Sequence, residues 1–325
     1  MTVGAYAMAA RQPGPPQVLH EIGFAPMAPA AGEVLIRHSA IGVNFIDCYF
    51  RSGLYPWPVP SDLVTGSEAA GVIEAVGDGV TGLTVGQRVA YTLPNFSYAT
   101  HRTIAAQHVV LLPDGISDAV AAAVMLKGLT VRYLVKDSYA VKPGDTVLFH
   151  AAAGGVGLLA GQWLKAMGAR AIGTAGGPDK VALARAHGFA EVIDYGATNF
   201  ADEAKRLVPQ GFDVVYDSVG KDTLARSLGC LRRHGTLVNF GQSSGPVTDF
   251  KVSDLAAGSY HLTRPVLFHF TSSRAWLEQA AADLFHLIGN GTLKIAVHSA
   301  PLREVARVHS DLEARRTTGS MVLIP

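Results

Sequence analysis

Residues 145–168 read DTVLFHAAAGGVGLLAGQWLKAMG, and the rest of the chain is arranged around this stretch. Its first part, 145–150, is an apolar run that predicts a strand, and 158–168 carries apolar residues at helical spacing, which predicts a helix. Three small residues between them take the positions of a G-x-G-x-x-G turn, with alanine first: Ala152, Gly154 and Gly157. Such a turn lets the amides of a helix N-terminus approach a pyrophosphate. The stretch predicts a dinucleotide site. The alternative is that the small residues serve only the close packing of the strand against the helix.

The segments that follow favour the dinucleotide site. Their patterns predict further strands at 169–174, 191–194, 213–218 and 236–241, and a helix at 179–187. Strands that alternate with helices imply right-handed crossovers and a doubly wound parallel sheet. The predicted fold class is therefore α/β, with a Rossmann domain built on this sheet.

The end of the second of these strands bears on the choice of cofactor. In an NAD site an acidic side chain about 20 residues past the glycines accepts hydrogen bonds from the ribose hydroxyls. Here the strand ends in GTAGG at 173–177, without a carboxylate, and Lys180 follows shortly. A lysine at this place would pair with a 2′-phosphate, and its alternative role is that of an ordinary solvated helix residue. The sequence predicts NADPH as cofactor.

Length and composition restrict the domain number, the partners and the compartment that we expect for this protein. A chain of 325 residues with 49% hydrophobic residues is long enough for two domains. Lys and Arg number 27 against 26 Asp and Glu, so net charge indicates neither nucleic acid nor an anionic membrane as partner. Cys48 and Cys230 lie far apart without metal-binding spacing, which is typical of reduced thiols in a cytoplasm. The opening residues lack a signal-peptide pattern and no apolar run is long enough to span a bilayer, so we expect a cytoplasmic protein.

The segments outside the Rossmann domain have a different pattern. Short apolar runs at 34–43, 71–76 and 87–91 predict β-strands without intervening helices, so the chain up to about Pro113 is expected to form a mostly antiparallel β domain. Helices are predicted at 119–135 and 274–288. A last strand at 321–324 needs a partner, which we expect in the N-terminal domain.

Five motifs carry a resemblance to a known family: NFID at 44–47, RSGLYP at 51–56, GSEAAG at 66–71, AAAGGVG at 151–157 and YDSVG at 216–220. The chain resembles the zinc-independent, ζ-crystallin-like quinone oxidoreductases of the medium-chain dehydrogenase/reductase superfamily over nearly its whole length. The resemblance implies a GroES-like catalytic domain formed by both chain ends, 1–126 and 271–325. It also implies an NADPH-binding Rossmann domain at 127–270, a cleft between the two domains and, usually, a homodimer.

The resemblance also bears on metal use. Where the zinc alcohol dehydrogenases have their first cysteine ligand this chain has Asn44 and its neighbours, and Gly66-Ser67-Glu68 stands in place of their Gly-His-Glu. Loss of two ligands from a site that needs three predicts that there is no catalytic metal. Cys48 is expected to be a half-buried thiol. A metal-free site suits a quinone or an enone, because the charge left by hydride transfer spreads over a conjugated system.

The resemblance implies residues for the substrate side of the site. Asn44, Tyr49 and Tyr55 are the catalytic candidates, since an amide or phenol there would hydrogen-bond a quinone oxygen as charge develops, and Asn44 also lines the nicotinamide. The alternative for the two tyrosines is that they only pack a loop. Thr130 matches a threonine near the nicotinamide, with a hydroxyl bonded back to its own helix as the alternative.

For the rest of the cofactor, the predicted residues come from the turn, the strand ends and the adenosine pocket. The residues that match the family's 2′-phosphate site are Lys180, Tyr195 and Arg315. The adjacent Arg316 is an alternative to Arg315. The alternative role of the cations is that of solvated surface charges, and that of Tyr195 is packing at a strand end. The remaining predicted cofactor-binding residues are Gly154, Gly155, Val156, Gly157, Thr174, Gly176, Ser218, Phe240, Gly241 and Gln242. The family has asparagine where this chain has Gln242, so a side-chain role there stays open.

Three functions remain open at this level. The first is an NADPH:quinone oxidoreductase, and the second is an NADPH-dependent reductase of the C=C bond in α,β-unsaturated carbonyls. The third is a non-catalytic, crystallin-like nucleotide-binding protein. The apolar-alternating run GSYHLTRPV at 258–266 predicts an edge strand that pairs with its two-fold mate in a homodimer, with a lone, capped edge strand as the alternative.

Overall fold

The structure of the protein, a computed structural model, describes residues 4–325. Residues 1–3 lie outside this part. They begin the segment from which we predicted that no signal peptide is present, so that prediction falls partly outside the described residues. The chain forms two compact units. The first runs up to Leu129 and includes Phe270–Gly289 and Ile295–Pro325, and the second comprises Thr130–His269 and Asn290–Lys294.

The β-strands are numbered in chain order. They are β1 (Tyr6–Ala10), β2 (Leu19–Gly23), β3 (Glu33–Gly42), β4 (Leu63–Val64), β5 (Glu68–Val76), β6 (Arg88–Thr92), β7 (His101–Ala105), β8 (Val109–Leu111), β9 (Thr146–Phe149), β10 (Arg170–Ala175), β11 (Glu191–Asp194), β12 (Phe212–Asp217), β13 (Leu231–Asn239), β14 (His261–Thr263), β15 (Val297–Pro301) and β16 (Ser320–Ile324).

The α-helices are numbered in the same way. They are α1 (Phe45–Ser52), α2 (Asp118–Tyr133), α3 (Gly155–Ala166), α4 (Pro178–Ala186), α5 (Phe200–Leu207), α6 (Leu224–Leu228), α7 (Leu267–Thr271), α8 (Arg274–Gly289) and α9 (Val305–Glu313). Within residues 4–325, no helix has the length and apolar character needed to cross a lipid bilayer.

The second unit contains the predicted doubly wound sheet. Its six strands lie in the order β11-β10-β9-β12-β13-β14, and every neighbouring pair is parallel. β9 lies inside the sheet, and its residues Val147, Leu148 and Phe149 are buried, as expected for a parallel strand covered on both faces. The chain continues from β9 to β10 on one side, and β12 lies on the other. The carboxyl end of β9 is therefore a topological switch point, where ligands bind in open α/β sheets.

The first unit is built mainly from antiparallel strands. A seven-stranded sheet has the order β15-β16-β3-β5-β6-β8 with β7 also paired to β3, and a smaller sheet has the order β2-β1-β4. The predicted last strand has its partner in the N-terminal part, because β16 pairs antiparallel with β3 at Val322↔Gly42. Both chain ends therefore build this unit, as expected. Its core is a cluster of buried residues that includes Ile36, Ile41, Ile73, Tyr91 and Leu323.

The expectation of strands without intervening helices was wrong at α1. Asn44 is its N-cap residue, and the Asn44 backbone N–H donates to Oδ2 of Asp47 at 2.9 Å. Gly53 ends the helix in the left-handed conformation with φ 81°, where glycine avoids the steric cost of a Cβ. An Asn followed three residues later by Asp and then by Gly53 is a helix signal that the aromatic residues of this segment obscured.

Candidate functional site

The glycine turn leaves the N-terminus of α3 open. Gly154 is the N-cap residue, no side chain caps the helix, and its first turn has no acidic residue. A Cβ on Gly157 would lie 2.4 Å from the Ala151 carbonyl oxygen, so only glycine allows the backbone to approach so closely. Free amides at the positive end of a helix dipole suit an anion. This geometry fits a pyrophosphate on the predicted residues Gly154 to Gly157.

The strand after the turn ends without an exposed carboxylate. An acidic side chain stands at the neighbouring strand end, where Oδ1 of Asp194 accepts the backbone N–H groups of Gly177 and Gly196, each at 2.9 Å. The ring of Tyr195 lies against Gly176, where a Cβ would be 2.9 Å from ring atoms, and Tyr195 is 45% exposed. Lys180 is a half-buried residue in the first turn of α4. The structure thus brings Gly176 and Tyr195 into contact, and α4 begins two residues after Gly176.

Thr174 is buried in the interior of the second unit, with 2% exposed. Its Oγ1 lies 3.0 Å from Nδ1 of His150, and its carbonyl oxygen accepts the N–H of Ala152 at 2.9 Å. These bonds tie the end of β10 to the glycine turn. Thr174 therefore stabilises the glycine turn through its backbone. A direct contact of Thr174 with a cofactor stays a prediction.

A buried polar network under the strand ends was missed by sequence reasoning. The other ring nitrogen of His150, Nε2, lies 2.9 Å from Oγ of Ser227, and Ser227 donates to Asp217 at 3.3 Å. The Asp217 carboxylate also accepts the backbone N–H groups of Val219 at 2.8 Å and Gly220 at 3.0 Å. Burial lowers the pKa of His150, while the negative charge of Asp217 opposes this shift. The only signal for the network in the sequence was a polar residue at the end of each apolar strand.

The ends of β12 and β13 bring four predicted residues together. A Cβ on Gly241 would lie 2.7 Å from the carbonyl oxygen of Ser218, and this oxygen accepts the N–H of Ser243 at 3.1 Å. The Phe240 ring packs on Phe149, with 5.7 Å between the ring centroids. Gln242 is half-buried in the same loop. Asn239, which was not predicted, donates to the carbonyl oxygens of Asp217 and Gly241 at 3.3 and 3.1 Å and joins the two strand ends.

In the first unit, Asn44 is held by a buried carboxylate. Its Nδ2 donates to Oε1 of Glu68 at 2.8 Å, and Nζ of Lys127 donates to the same oxygen at 2.9 Å. The backbone N–H of Leu126 donates to Oε2 at 2.6 Å. Asn44, Glu68 and Lys127 are 6%, 0% and 6% exposed. Glu68 lies in the segment Gly66-Ser67-Glu68 considered for metal use, and Lys127 lies three residues before the predicted Thr130, but neither was predicted as a site residue.

A second buried carboxylate lies beside the first. Oδ1 of Asp47 accepts the Ser67 hydroxyl at 2.6 Å, and Oδ2 accepts the Tyr98 hydroxyl at 2.9 Å. Burial raises the pKa of Asp47 to about 7, and the hydrogen bonds from Ser67 and Tyr98 moderate this rise. The Tyr98 oxygen also lies 2.9 Å from Nε2 of His309, and burial lowers the pKa of His309 to about 3. Asp47 therefore titrates close to neutral pH while His309 stays uncharged.

Cys48 is more deeply buried than expected. The thiol is 2% exposed, its Sγ lies 3.5 Å from Nδ1 of His309, and burial raises its pKa. A thiol held in its protonated form is a poor nucleophile and a poor metal ligand. Among residues 4–325, no three His, Cys, Asp or Glu side chains are grouped so that they could hold a metal ion.

Tyr49 and Tyr55 lie in one aromatic cluster. Their ring centroids are 5.4 Å apart with the rings edge to face, and the Tyr55 ring makes a similar contact with Phe50 at 5.5 Å. Both tyrosines are half-buried. The contact supports the packing role considered above and leaves part of each ring accessible to a ligand.

One of the two remaining predicted residues lies in a helix and the other lies just after one. Thr130 is 6% exposed within α2. Arg315 is exposed just after α9 and has the left-handed φ of 57°, which is unfavourable for a residue with a side chain. Arg316 donates to Oδ1 of Asp311 from Nε and Nη2 at 3.0 and 2.7 Å. This bidentate pairing holds the Arg316 guanidinium on α9, and Arg315 stays the predicted phosphate ligand.

Comparison with known proteins agrees with this architecture. Residues 30–114 match the family described as alcohol dehydrogenase GroES-like domain, and residues 155–283 match the family described as zinc-binding dehydrogenase. A quinone oxidoreductase of Pseudomonas aeruginosa is 50% identical over 96% of this chain and 97% of its own length. A 2-haloacrylate reductase of a Burkholderia species is 41% identical over 92% of both chains. The crystal structure of Escherichia coli quinone oxidoreductase complexed with NADPH has a TM-score of 0.94 at 43% identity, covering 98% of this chain and 100% of that one.

A GroES-like unit built from both chain ends, joined to a Rossmann unit with an open glycine turn, defines a medium-chain dehydrogenase/reductase. These proteins bind a nicotinamide dinucleotide and transfer a hydride. Because the identity to quinone oxidoreductases extends over nearly the full length of both proteins, the chain belongs to the quinone oxidoreductase family.

Proposed function

We propose that this protein is an NADPH-dependent quinone reductase that works without a catalytic metal. The observation that carries the proposal is the 50% identity to a quinone oxidoreductase over 97% of that protein. Its local support is a site in which Asn44 and Ser67 are bonded to the buried carboxylates Glu68 and Asp47. Neither side chain is a usual zinc ligand, and a conjugated acceptor needs no Lewis acid.

The proposed reaction takes a hydride from NADPH and a proton from solvent and yields NADP⁺ and a hydroquinone. The cofactor supplies the hydride, and the protein binds, orients and shields the reactants. We assign the pyrophosphate to the amides of residues 154–157 and the 2′-phosphate to Lys180, Tyr195 and Arg315. Asn44, Tyr49 and Tyr55 are assigned to the acceptor. Gly176, which lies against the Tyr195 ring, is assigned to the adenosine half, and Thr174 to the support of the glycine turn. The remaining residues, assigned to the nicotinamide half, are Thr130, Ser218, Phe240, Gly241 and Gln242.

The domains are assigned in the same proposal. Residues 1–126 and 271–325 form the catalytic domain, and residues 127–270 form the NADPH-binding domain. The structural support for the second assignment is the open N-terminus of α3 together with the close approach of Tyr195 to Gly176.

The experiment that tests the function compares two acceptors. NADPH oxidation is followed spectrophotometrically with 1,4-benzoquinone and with an alkenal, at equal concentration and with enzyme-free controls. Turnover of the quinone with the higher kcat/KM supports the proposal. Turnover of the alkenal alone would instead support the C=C reductase, which the similarity to a 2-haloacrylate reductase favours as second candidate.

We also propose that the enzyme is a homodimer and works in the cytoplasm. β14 lies at the edge of the six-stranded sheet and pairs only on its β13 side within the described chain. An unpaired edge is a template for a second strand, and pairing with a two-fold mate would remove it. Light scattering should give twice the chain mass of 34.2 kDa at micromolar concentration. A stable mass equal to one chain would contradict the dimer.

A further inference from the structure

The side chain of Asp194 joins the two loops that follow β10 and β11. The ladder between these strands ends at the pair Ala175↔Asp194, after which the Tyr195 N–H still donates to the Ala175 carbonyl oxygen at 3.0 Å. Beyond this point, Oδ1 of Asp194 accepts the Gly177 N–H at 2.9 Å. The carboxylate therefore continues the connection between the two strands where the backbone ladder has ended.

The same carboxylate oxygen also holds its own loop. Oδ1 of Asp194 accepts the Gly196 N–H at 2.9 Å, which by itself is an ordinary turn in which an Asp side chain binds the amide two residues further on. The bond to Gly177 has no part in such a turn, because Gly177 lies 17 residues away in the other loop. A Cβ on Gly196 would lie 3.2 Å from this oxygen, so a side chain there would crowd the carboxylate. One carboxylate oxygen thus fixes the two loops against each other.

Each loop is connected to a residue assigned to the 2′-phosphate. The ring of Tyr195 packs on the first loop, since its hydroxyl oxygen would be 2.9 Å from a Cβ on Gly176. Gly177 is the N-cap residue of α4 with a φ of 86°, which favours glycine, and Lys180 follows in the first turn of this helix. The hydrogen bond from Gly177 to Asp194 therefore holds the helix of Lys180 next to the strand end that carries Tyr195.

The charge of Asp194 makes its effect on the cofactor testable by sign. A carboxylate near a 2′-phosphate repels it, so by charge alone Asp194 would weaken NADPH binding. As the acceptor that holds two loops in place, Asp194 would instead strengthen NADPH binding. An Asn side chain has no charge but keeps an oxygen that accepts N–H groups, and an Ala side chain has neither property. The two substitutions therefore separate the charge from the hydrogen bonds.

We propose that Asp194 is a positioning residue for cofactor choice, which accepts from both loops and thereby holds Tyr195 and α4 where their groups converge on a 2′-phosphate. The proposal rests on the proposed function, in which Tyr195 and Lys180 bind this phosphate. The preference for NADPH then depends on a hydrogen-bond acceptor at position 194, and the negative charge of this acceptor is dispensable. In an NAD site the acidic residue binds the ribose directly, whereas Asp194 acts through the backbone.

The adenosine half of the cofactor is tested by itself with adenosine 2′,5′-bisphosphate and adenosine 5′-monophosphate, which differ only in the 2′-phosphate. Calorimetric titration gives the Kd of each fragment for wild type, Asp194→Ala and Asp194→Asn. We expect Asp194→Ala to weaken the bisphosphate about 10-fold and to leave the monophosphate nearly unchanged, since misalignment should cost the lower end of a charge-assisted hydrogen bond. Asp194→Asn should bind the bisphosphate at least as tightly as wild type. NADPH and NADH should show the same pattern.

Thr198→Ala is the matched control in the same turn. It removes the hydroxyl that donates to the carbonyl oxygen of Asp194 at 3.1 Å and leaves both carboxylate bonds intact. Both fragments should bind this variant as they bind wild type. Asp194 is half-buried at a strand end, so Asp194→Ala is expected to fold, which urea unfolding checks.

A cycle of double variants shows whether Asp194 acts through Tyr195. Tyr195→Phe removes the phenol hydroxyl and keeps the ring on Gly176. If Asp194 positions that hydroxyl, Asp194→Ala should cost less affinity for the bisphosphate in the Tyr195→Phe protein than in wild type. A residue that only supports the fold would instead weaken both fragments alike.

Four results would overturn the inference. In the first, Asp194→Ala binds the bisphosphate as tightly as wild type or more tightly, because the charge then dominates. In the others, Asp194→Ala loses both fragments equally, Asp194→Asn is as impaired as Asp194→Ala, or the losses from Asp194→Ala and Tyr195→Phe are fully additive. If Lys180→Ala and Tyr195→Phe keep the wild-type preference between the fragments, the assigned phosphate site itself is wrong and the role of Asp194 falls with it. A protein that reduces no quinone would defeat the proposed function, while the fragment affinities would still decide the role of Asp194.

Discussion

Gly173 on β10 and Ala152 in the glycine turn face each other so closely that a Cβ on Gly173 would lie 2.5 Å from Cβ of Ala152. The first position of a dinucleotide turn is ordinarily glycine, because the chain bends sharply there. In this protein the next strand carries the glycine instead, and the Ala152 methyl occupies the space that Gly173 leaves. The missing first glycine of the motif is thus matched by a glycine across the turn.

Gly173→Ala should destabilise the protein by about 1–3 kcal/mol, the usual cost of overpacking a dense core. Ala152→Gly/Gly173→Ala should recover part of this loss, since one methyl replaces the other. Urea unfolding measures both. Gly115→Ala is the control, because a Cβ there meets nothing within 4 Å. If the double variant were no more stable than Gly173→Ala, the contact with Ala152 would not be the cause; Phe189, 3.2 Å from the added Cβ, would then be the relevant neighbour.

Lys180→Ala and Arg315→Ala should each weaken NADPH binding and leave NADH binding nearly unchanged. A charge-assisted hydrogen bond contributes roughly 1.5–3 kcal/mol, on the order of 10- to 100-fold in affinity. Fluorescence titration of both nucleotides checks this. Arg316→Ala is the matched control, because Arg316 is paired with Asp311. Equal losses for NADH and NADPH would show that Lys180 and Arg315 support the fold rather than the phosphate.

Asp47→Asn should become more stable relative to wild type as pH rises from 4 to 7. Burial raises the pKa of Asp47 from 3.8 to about 7, so between these values the folded state holds a proton that the unfolded state has lost. The stability that this proton contributes is full below pH 4 and is lost as pH rises through 7, by at most roughly 4 kcal/mol. Urea unfolding of both proteins at several pH values gives the difference. A difference that does not vary with pH would mean that Asp47 is ionised throughout.

His309→Gln should reduce the acid sensitivity of the protein. Burial lowers the pKa values of His38 and His309 from 6.5 to about 3, so both stay neutral in the fold. The unfolded chain takes up their protons below pH 6.5, and stability therefore falls as pH decreases from 6.5 toward 3. The slope of unfolding free energy against pH is proportional to the number of protons taken up on unfolding. Removing one histidine should lower that number by one. The slope is measured by urea unfolding between pH 4 and 6, and an unchanged slope would contradict the burial of His309 as a neutral base.

Much of the fold was readable because it depends on local pattern. The order of β9, α3, β10, α4 and β11 was predicted from apolar runs separated by glycine turns. Strands of one sheet that are connected through crossover helices run parallel, which predicted the parallel sheet. The end of β13 was placed too late, since the strand covers Leu231–Asn239 and the predicted Phe240 and Gly241 lie in the loop beyond it. Strand ends are set by pairing with neighbours, which local pattern does not contain.

By itself, the sequence of this protein determined the fold class, the dinucleotide turn and the family, because each depends on residue types at fixed spacing along the chain. Only the tertiary structure decided which side chains share a hydrogen bond. Asn44, Glu68 and Lys127 lie in three separate segments and meet in one buried cluster. His150, Ser227 and Asp217 do the same beneath the strand ends. The physical reason is burial, since a charge or polar group removed from water must find its partner inside the fold, and that partner is set by packing in space rather than by distance along the chain.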